Sequence, residues 1–229
     1  MYYLRSRFYN PDKCRFISCD SIVDVGSQFI SCNLYCYCKN NCVNRIDPQG
    51  NIDCYVWKEN TVLKDWNGNF ITPLVLGTKL QLSAYGPNEF QVIYNSSRGE
   101  IHGRVNSNAI IIWYGDDAAS LAKYKAEYFH NFTDKEGQPI FYQQGNSHAL
   151  ANAAINVLLN RYDETHDNGK HQSVDICGDY NLSTYYAVEL AQKQLCATVD
   201  NKFGDETFTK IAEFLSDGYE YSRKHGYLE

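Results

Sequence analysis

The sequence predicts a multidomain α+β chain: a short β segment, a small β-barrel, a helical strut and a C-terminal three-helix module. Three observations lead there. Residues 1–50 alternate aromatic and polar residues, with turn signals at short intervals. Residues 55–112 hold short β-type runs at roughly ten-residue spacing, the pattern of a small barrel. Residues 177–211 carry a turn-and-helix motif twice, with Tyr180 and Phe203, and Thr184 and Thr207, each 23 positions apart.

The totals bound the function. A chain of 229 residues suffices for one large domain or several small ones. Its formal net charge of −6 argues against a nucleic-acid partner, which needs a basic stripe. No window approaches the roughly 18 apolar residues of a membrane-spanning helix, so no membrane insertion is expected. The N-terminal MYYLRSRFYN lacks an apolar core of signal-peptide length, so no export signal is expected in this chain. The 19 Tyr and 11 Phe suit β-rich surfaces, and carbohydrate-facing ones too. Seven of nine cysteines lie in the first 54 residues. The run Cys32, Cys36, Cys38, Cys42 lacks the usual C-x2-C pair of a zinc site, and the odd total argues against a disulfide framework. Reduced thiols acting as small hydrophobes, and no metal, are expected.

The first segment, 1–51, is punctuated by Asn10-Pro11-Asp12, Asn40-Asn41 and Asp47-Pro48-Gln49-Gly50. Tyr2-Tyr3-Leu4-Arg5-Ser6-Arg7-Phe8-Tyr9-Asn10-Pro11, Arg15-Phe16-Ile17-Ser18, Asn33-Leu34-Tyr35 and the Asp47–Gly50 motif resemble the C-terminal end of the Rhs (YD-repeat) core. In that family the segment closes a β-shell around a variable C-terminal module, often a toxin. The resemblance implies a processing junction at Asp47, Pro48 and Gly50, although the rest of the self-cleavage signature is not found. It also implies the remainder of an Rhs shell as a partner, and a secreted or cell-surface location as part of a longer protein. Whether the chain is a fragment of such a protein or an orphan tip stays open.

In 52–113 the expected strands are Tyr55-Val56-Trp57, Phe70-Ile71, Leu80-Gln81-Leu82, Phe90–Tyr94 and Ala109–Ile112. Turns at Asn67-Gly68-Asn69, Gly86-Pro87-Asn88 and Ser96-Ser97-Arg98-Gly99 separate them. Leu76-Gly77-Thr78-Lys79-Leu80, Asn88-Glu89-Phe90-Gln91-Val92 and Gly103-Arg104-Val105 followed by Ala109-Ile110 resemble the bacterial SH3-like family. The resemblance implies a small barrel that recognises wall peptide. Phe90 and Arg104 stand where groove aromatics are common in the family.

In 114–139, Asp116-Asp117 open a predicted helix reaching about Tyr128, its buried face carried by Leu121, Tyr124 and Tyr128. A polar linker, Thr133–Pro139, follows, so the segment reads as a strut. In 140–229 each motif copy reads as a turn with one inward aromatic, then a Thr N-cap opening a helix. The runs Gly178-x-Tyr180-Asn181-x-x-Thr184-x-x-Ala187-Val188-x-x-x-Gln192 and Val199-Asp200-x-x-Phe203-Gly204-x-x-Thr207-Phe208-x-x-Ile211 resemble the peptidoglycan-binding-domain-1 family. Asn152-x-x-Ile155-Asn156-x-x-Leu159-Asn160, led by Gly145-Asn146-Ser147, resembles that family's first helix. Asn181 and Asn201 stand where the family favours Gly, and Ala191 where it favours Phe. The family is a three-helix module that docks on cell-wall glycan-peptide.

No catalytic constellation emerges. His130-Asn131 begins a nuclease-like motif without its remainder. His166 and His171, with Asp163, Asp167 and Asp175, fall in a stretch read as a solvated loop, Tyr162–His171. Cys177 and Cys196 are expected to be structural, Cys196 buried near a helix end. No Gly-rich phosphate loop, H-E-x-x-H or G-x-S-x-G occurs, and no cofactor is expected. Two binding surfaces are expected instead. One comprises Trp66, Tyr85, Asn88, Phe90 and Tyr94, aromatic faces with an amide. The other comprises Asp179, Asn181, Tyr185 and Asn201, with Tyr180 and Phe203 as core pins. The expected function is a non-catalytic, peptidoglycan-binding tip of an Rhs-type protein. The alternatives are a polymorphic Rhs toxin of unrecognised enzymatic fold and a degenerate structural remnant.

Overall fold

Strands come first along the chain and helices follow, a mixed α+β arrangement, in the computed structural model, which describes residues 2–4, 7–10, 15–16, 52–167 and 173–225. Those residues fall into two compact units. The described residues up to Cys54, with Thr61–Leu74 and Lys79–Ile112, form the first; Tyr55–Asn60, Val75–Thr78 and the described residues from Trp113 onward form the second. The cysteine run Cys32–Cys42 and the junction residues Asp47, Pro48 and Gly50 lie outside the described residues.

Strands β1 (Tyr2–Leu4), β2 (Arg7–Asn10) and β3 (Arg15–Phe16) make a small antiparallel sheet, with Tyr2 opposite Tyr9 and Asn10 opposite Arg15. Seven more strands follow: β4 (Ile52–Val56), β5 (Thr61–Lys64), β6 (Phe70–Leu74), β7 (Lys79–Ala84), β8 (Glu89–Ser96), β9 (Gly99–Asn106) and β10 (Ile110–Ile112). They form one sheet in the order β10-β4-β7-β8-β9-β5-β6. Two of them, β5 and β9, were not among the five expected runs.

The hairpin of β8 and β9 is the longest ladder, running from Glu89 opposite Asn106 to Ser96 opposite Gly99. Its two-residue turn is closed by Gly99 at φ +116°, a conformation only glycine adopts freely. Period-2 alternation sets the faces. Leu80 and Leu82 of β7, Val92 of β8 and Val105 of β9 are buried on one side. Gln91, Arg104 and Lys64 line up on the other through their paired registers. Gly103 is required where β9 meets β5: a Cβ there would lie 2.6 Å from the Lys64 carbonyl oxygen and 3.0 Å from the Leu63 side chain.

The second unit begins with α1 (Ala118–Phe129), capped by Asp117, whose carboxylate accepts from the Ala119 and Ser120 backbone N–H groups at 3.1 and 3.0 Å. Leu121, Tyr124 and Tyr128 are buried, as the periodicity predicts. The chain then reverses through His130, Asn131 and Phe132, all left-handed at φ 48°, 56° and 58°. Such a run is costly without glycine, roughly 1–2 kcal/mol per residue. Here it places Phe132 in the core, stacked on Phe129 with ring centroids 5.1 Å apart. Residues 114–139, expected as a strut, therefore pack their aromatics into the same unit as the later helices.

Helix α2 spans Ala149–Asp167, so Tyr162–Asp167, expected in a loop, continue the helix. Tyr162 follows Leu158 and Leu159 on the buried face and donates its hydroxyl to Gln194 Oε1 at 3.1 Å. Three asparagines at four-residue spacing, Asn152, Asn156 and Asn160, dock the extended segment that follows. Their side-chain amides donate to the carbonyls of Gly178, Asp175 and Val174 at 3.0, 3.0 and 2.8 Å.

Helix α3 (Leu182–Gln194) corrects the expected cap. Asn181, not Thr184, is the N-cap: its Oδ1 accepts from the Thr184 N–H at 2.9 Å. The Thr184 hydroxyl is buried and donates to Asn156 Oδ1 at 2.9 Å. Helix α4 (Asp205–His225) repeats the arrangement, with Thr207 inside its first turn and bonded to Gln192 of α3. Tyr180 and Phe203 are buried, as expected of core pins.

Cys196, expected to be buried, is exposed, and it ends α3 in the left-handed conformation at φ 53°. The Ala197 N–H reaches the Gln192 carbonyl at 2.9 Å and the Cys196 N–H the Lys193 carbonyl at 3.5 Å, a Schellman closure that favours glycine. Replacing Cys196→Gly is expected to stabilise the second unit by about 0.5–1 kcal/mol. Urea denaturation checks this; an unchanged or lowered midpoint would contradict it.

Candidate functional site

The first expected surface resolves into three environments. Trp66 sits in the β5–β6 turn and is 55% exposed. Asp65 builds that turn: its carboxylate accepts from the backbone N–H groups of Asn67 and Asn69, both at 2.8 Å, and from Asn69 Nδ2 at 2.9 Å. Those bonds, led by the Asn69 side chain, hold the carboxyl below the usual aspartate range. Arg104 of β9 reaches across and donates to the Trp66 carbonyl at 2.7 Å and to the Asp65 carbonyl at 3.3 Å. Glu89 orients Arg104 at 3.4 Å and accepts from Lys64 at 2.9 Å. The Lys64 hydrogen bond and the two nearby cations keep the Glu89 carboxyl below its ordinary range.

Tyr85 and Phe90 come together across the β7–β8 connection, edge to face, with centroids 5.4 Å apart. Tyr85 is exposed, whereas Phe90 and Tyr94 are half-buried in the same strand register as Val92. Asn88 is exposed, and its backbone carbonyl accepts from the Ser107 N–H at 2.9 Å and the Ser107 hydroxyl at 3.0 Å.

Residues of the second surface carry structural duties as well. The Asn181 amide oxygen caps α3, accepts from the Ser183 hydroxyl at 2.6 Å and lies 3.0 Å from the Thr184 hydroxyl oxygen. Asn201 stands at φ 60°, and its carbonyl accepts from the Tyr180 hydroxyl at 3.0 Å. Burial is the main reason the Tyr180 phenol is pushed well above its ordinary pKa. Tyr185 is half-buried and meets the exposed Tyr186 edge to face at 5.5 Å; Asp179 is exposed.

Phe70 was missed. It is 64% exposed at the start of β6. A β-bulge between Leu63 and Lys64 shifts the register so that Leu63 faces Thr72 while Lys64 faces Phe70. Bulges re-aim side chains in this way. The apolar alternation of Phe70 with Leu74 gives the opposite impression, so only the pairing reveals it.

Among the residues weighed for chemistry, His166 lies on α2 with its ring 5.3 Å from that of Tyr162 and 5.4 Å from that of Phe214. His171 lies outside the described residues. The Cys177 sulfur lies 3.8 Å from the Asn181 amide nitrogen. Among the described residues no three His, Cys, Asp or Glu side chains stand together as a metal site requires, and no helix is long and apolar enough to cross a membrane. The chain matches no protein-family model, no curated protein and no solved structure.

Proposed function

We propose that this chain is a non-catalytic, cell-wall-binding tip of an Rhs-type protein. Its β unit would act as an SH3-like module and helices α2–α4 as a peptidoglycan-binding-like one. The observation that carries the reading is the exposure of Trp66 on a hydrogen-bonded turn and of Tyr85 on a turn where it meets Phe90 edge to face. A rigid aromatic presented to solvent loses little entropy on binding, which suits weak recognition of a repetitive polymer. The helical resemblance is supported by its own motif residues. Tyr180 and Phe203 pin the core, and the Gln that closes the α3 motif anchors the following turn. As part of a longer Rhs protein, the chain would meet the wall at the cell surface.

The test is co-sedimentation of the full chain with washed, insoluble peptidoglycan. Retention at physiological salt, with release by soluble wall fragments, is the expected result. A protein that stays in the supernatant at both low and physiological salt contradicts the reading, and growth arrest on cytoplasmic expression would favour a toxin.

A further inference from the structure

We infer that the β5–β6 turn is a saccharide-binding platform, in which the rings of Trp66 and Phe70 take the apolar face of a neutral amino-sugar ring. This rests on the wall-binding reading for the identity of the polymer, and on geometry for the site. Between Ile52 and Ile112 the two rings are the most exposed aromatics of the first unit, at 55% and 64%. Trp66 lies in the β5–β6 turn and Phe70 is the first residue of β6 after it, and that turn is held firmly. Asp65 accepts three hydrogen bonds within it, and Arg104, 39 positions away, clamps its carbonyls from the neighbouring strand. That clamp is itself oriented by Glu89, and Glu89 by Lys64. None of this immobilisation buries either ring, so its effect is to present them.

The charges around the turn also indicate the ligand. Arg104 is matched by Glu89, Glu89 also by Lys64, and the Asp65 carboxylate by its three donors. A stretch of balanced charge, with exposed rings at Trp66 and Phe70 and the exposed amide residues Asn67 and Asn69 between them in the chain, complements a neutral ring having one C–H face and a hydroxyl- and amide-bearing rim. A nucleic-acid strand finds no uncompensated cation here. Edge pairing with a second copy is disfavoured by the exposed Pro73 in edge strand β6, which lacks a backbone N–H.

The experiment is calorimetric titration of the full chain with a β-linked tetramer of N-acetylglucosamine. Wild type, Trp66→Ala, Phe70→Ala, the double variant and, at an exposed position outside both expected surfaces, Lys135→Ala are compared, each first shown to be folded by its unfolding midpoint. Saturable binding is expected, weakened about fivefold to tenfold by each platform substitution, abolished by the pair and unchanged by Lys135→Ala. No binding by wild type, or equal binding by the double variant, overturns the inference. So does a dimer in sedimentation that the double variant dissolves, which would make the rings a self-association surface. Retention on insoluble peptidoglycan without tetramer binding sinks this site and leaves the wall reading standing. Tetramer binding that depends on the rings, without wall retention, does the reverse.

Discussion

Truncating Phe129 to alanine is expected to destabilise the second unit by about 3–5 kcal/mol. Phe129 is fully buried at the end of α1, and its ring lies within 6.0 Å of those of Tyr124, Phe132, Tyr142, Phe203 and Phe208. Those partners come from α1, the left-handed turn, the segment before α2 and the entry to α4, with Phe203 just before that helix and Phe208 in its first turns. No single rearrangement can close the resulting cavity, because its walls belong to four differently anchored segments. Tyr186→Ala, at 58% exposure, serves as control and should change stability by less than about 0.5 kcal/mol. Guanidinium denaturation measures both. A cost for Phe129→Ala near that of the control would mean that the aromatic cluster does not hold the unit together. The expected result also bears on binding studies. A piece starting at residue 140 would remove Phe129 and Phe132 and strip those two ring contacts from Tyr142, Phe203 and Phe208, so wall binding is properly tested on the full chain.

Local chemistry made some of this legible in advance. Helix α1 is readable because an acidic cap precedes apolar residues of helical period, and both operate within one turn. The β7 and β8 strands are readable because Leu80, Leu82 and Val92 alternate with polar neighbours. Strand β9 was not, since Gly103, His102 and Glu100 carry no β signal of their own; its place is fixed by pairing with β8 and close approach to β5. The α3 cap was misplaced because Asn and Thr at three-residue spacing can each cap a helix. The choice is made by a third residue, Asn156 on α2, which offers the Thr184 hydroxyl a buried partner. Among site residues, Trp66, Tyr85 and Asn88 follow from turn signals, while Phe90 and Tyr94 share Val92's register, which composition does not encode. Neither the Arg104 clamp on the Trp66 turn nor the bulge that turns Phe70 outward has a local signature, because both depend on which strands become neighbours.

Replacing Gln192→Leu is expected to cost about 2–4 kcal/mol, although it changes side-chain volume little. Gln192 is 1% exposed and is the hub between α3, the connection after it and α4. Its Nε2 lies 2.9 Å from Asp200 Oδ1, 2.9 Å from the Lys202 carbonyl and 3.0 Å from the Thr207 hydroxyl. Its Oε1 accepts from the Asn201 and Asp200 N–H groups at 3.0 and 3.3 Å. Leucine fills the space but leaves several of these groups without a partner, and the cost of an orphaned buried group exceeds the net gain of an ordinary hydrogen bond. Pairing with Thr207→Val in a double-mutant cycle should give a coupling of about 0.5–1.5 kcal/mol, since the hydroxyl is one of the partners lost. The Gln192→Glu variant separates hydrogen bonding from shape. It keeps the acceptors for the two N–H groups but sets a carboxylate against Asp200 and the Lys202 carbonyl, which raises that carboxyl's pKa in the folded state. Its deficit is therefore fully present above the raised value and shrinks as pH falls through it, whereas the leucine deficit carries no such term. Urea midpoints at neutral and mildly acidic pH measure both. A leucine variant as stable as wild type would mean that the turn after α3 is held by its own backbone, and the amide hub would then have no structural role.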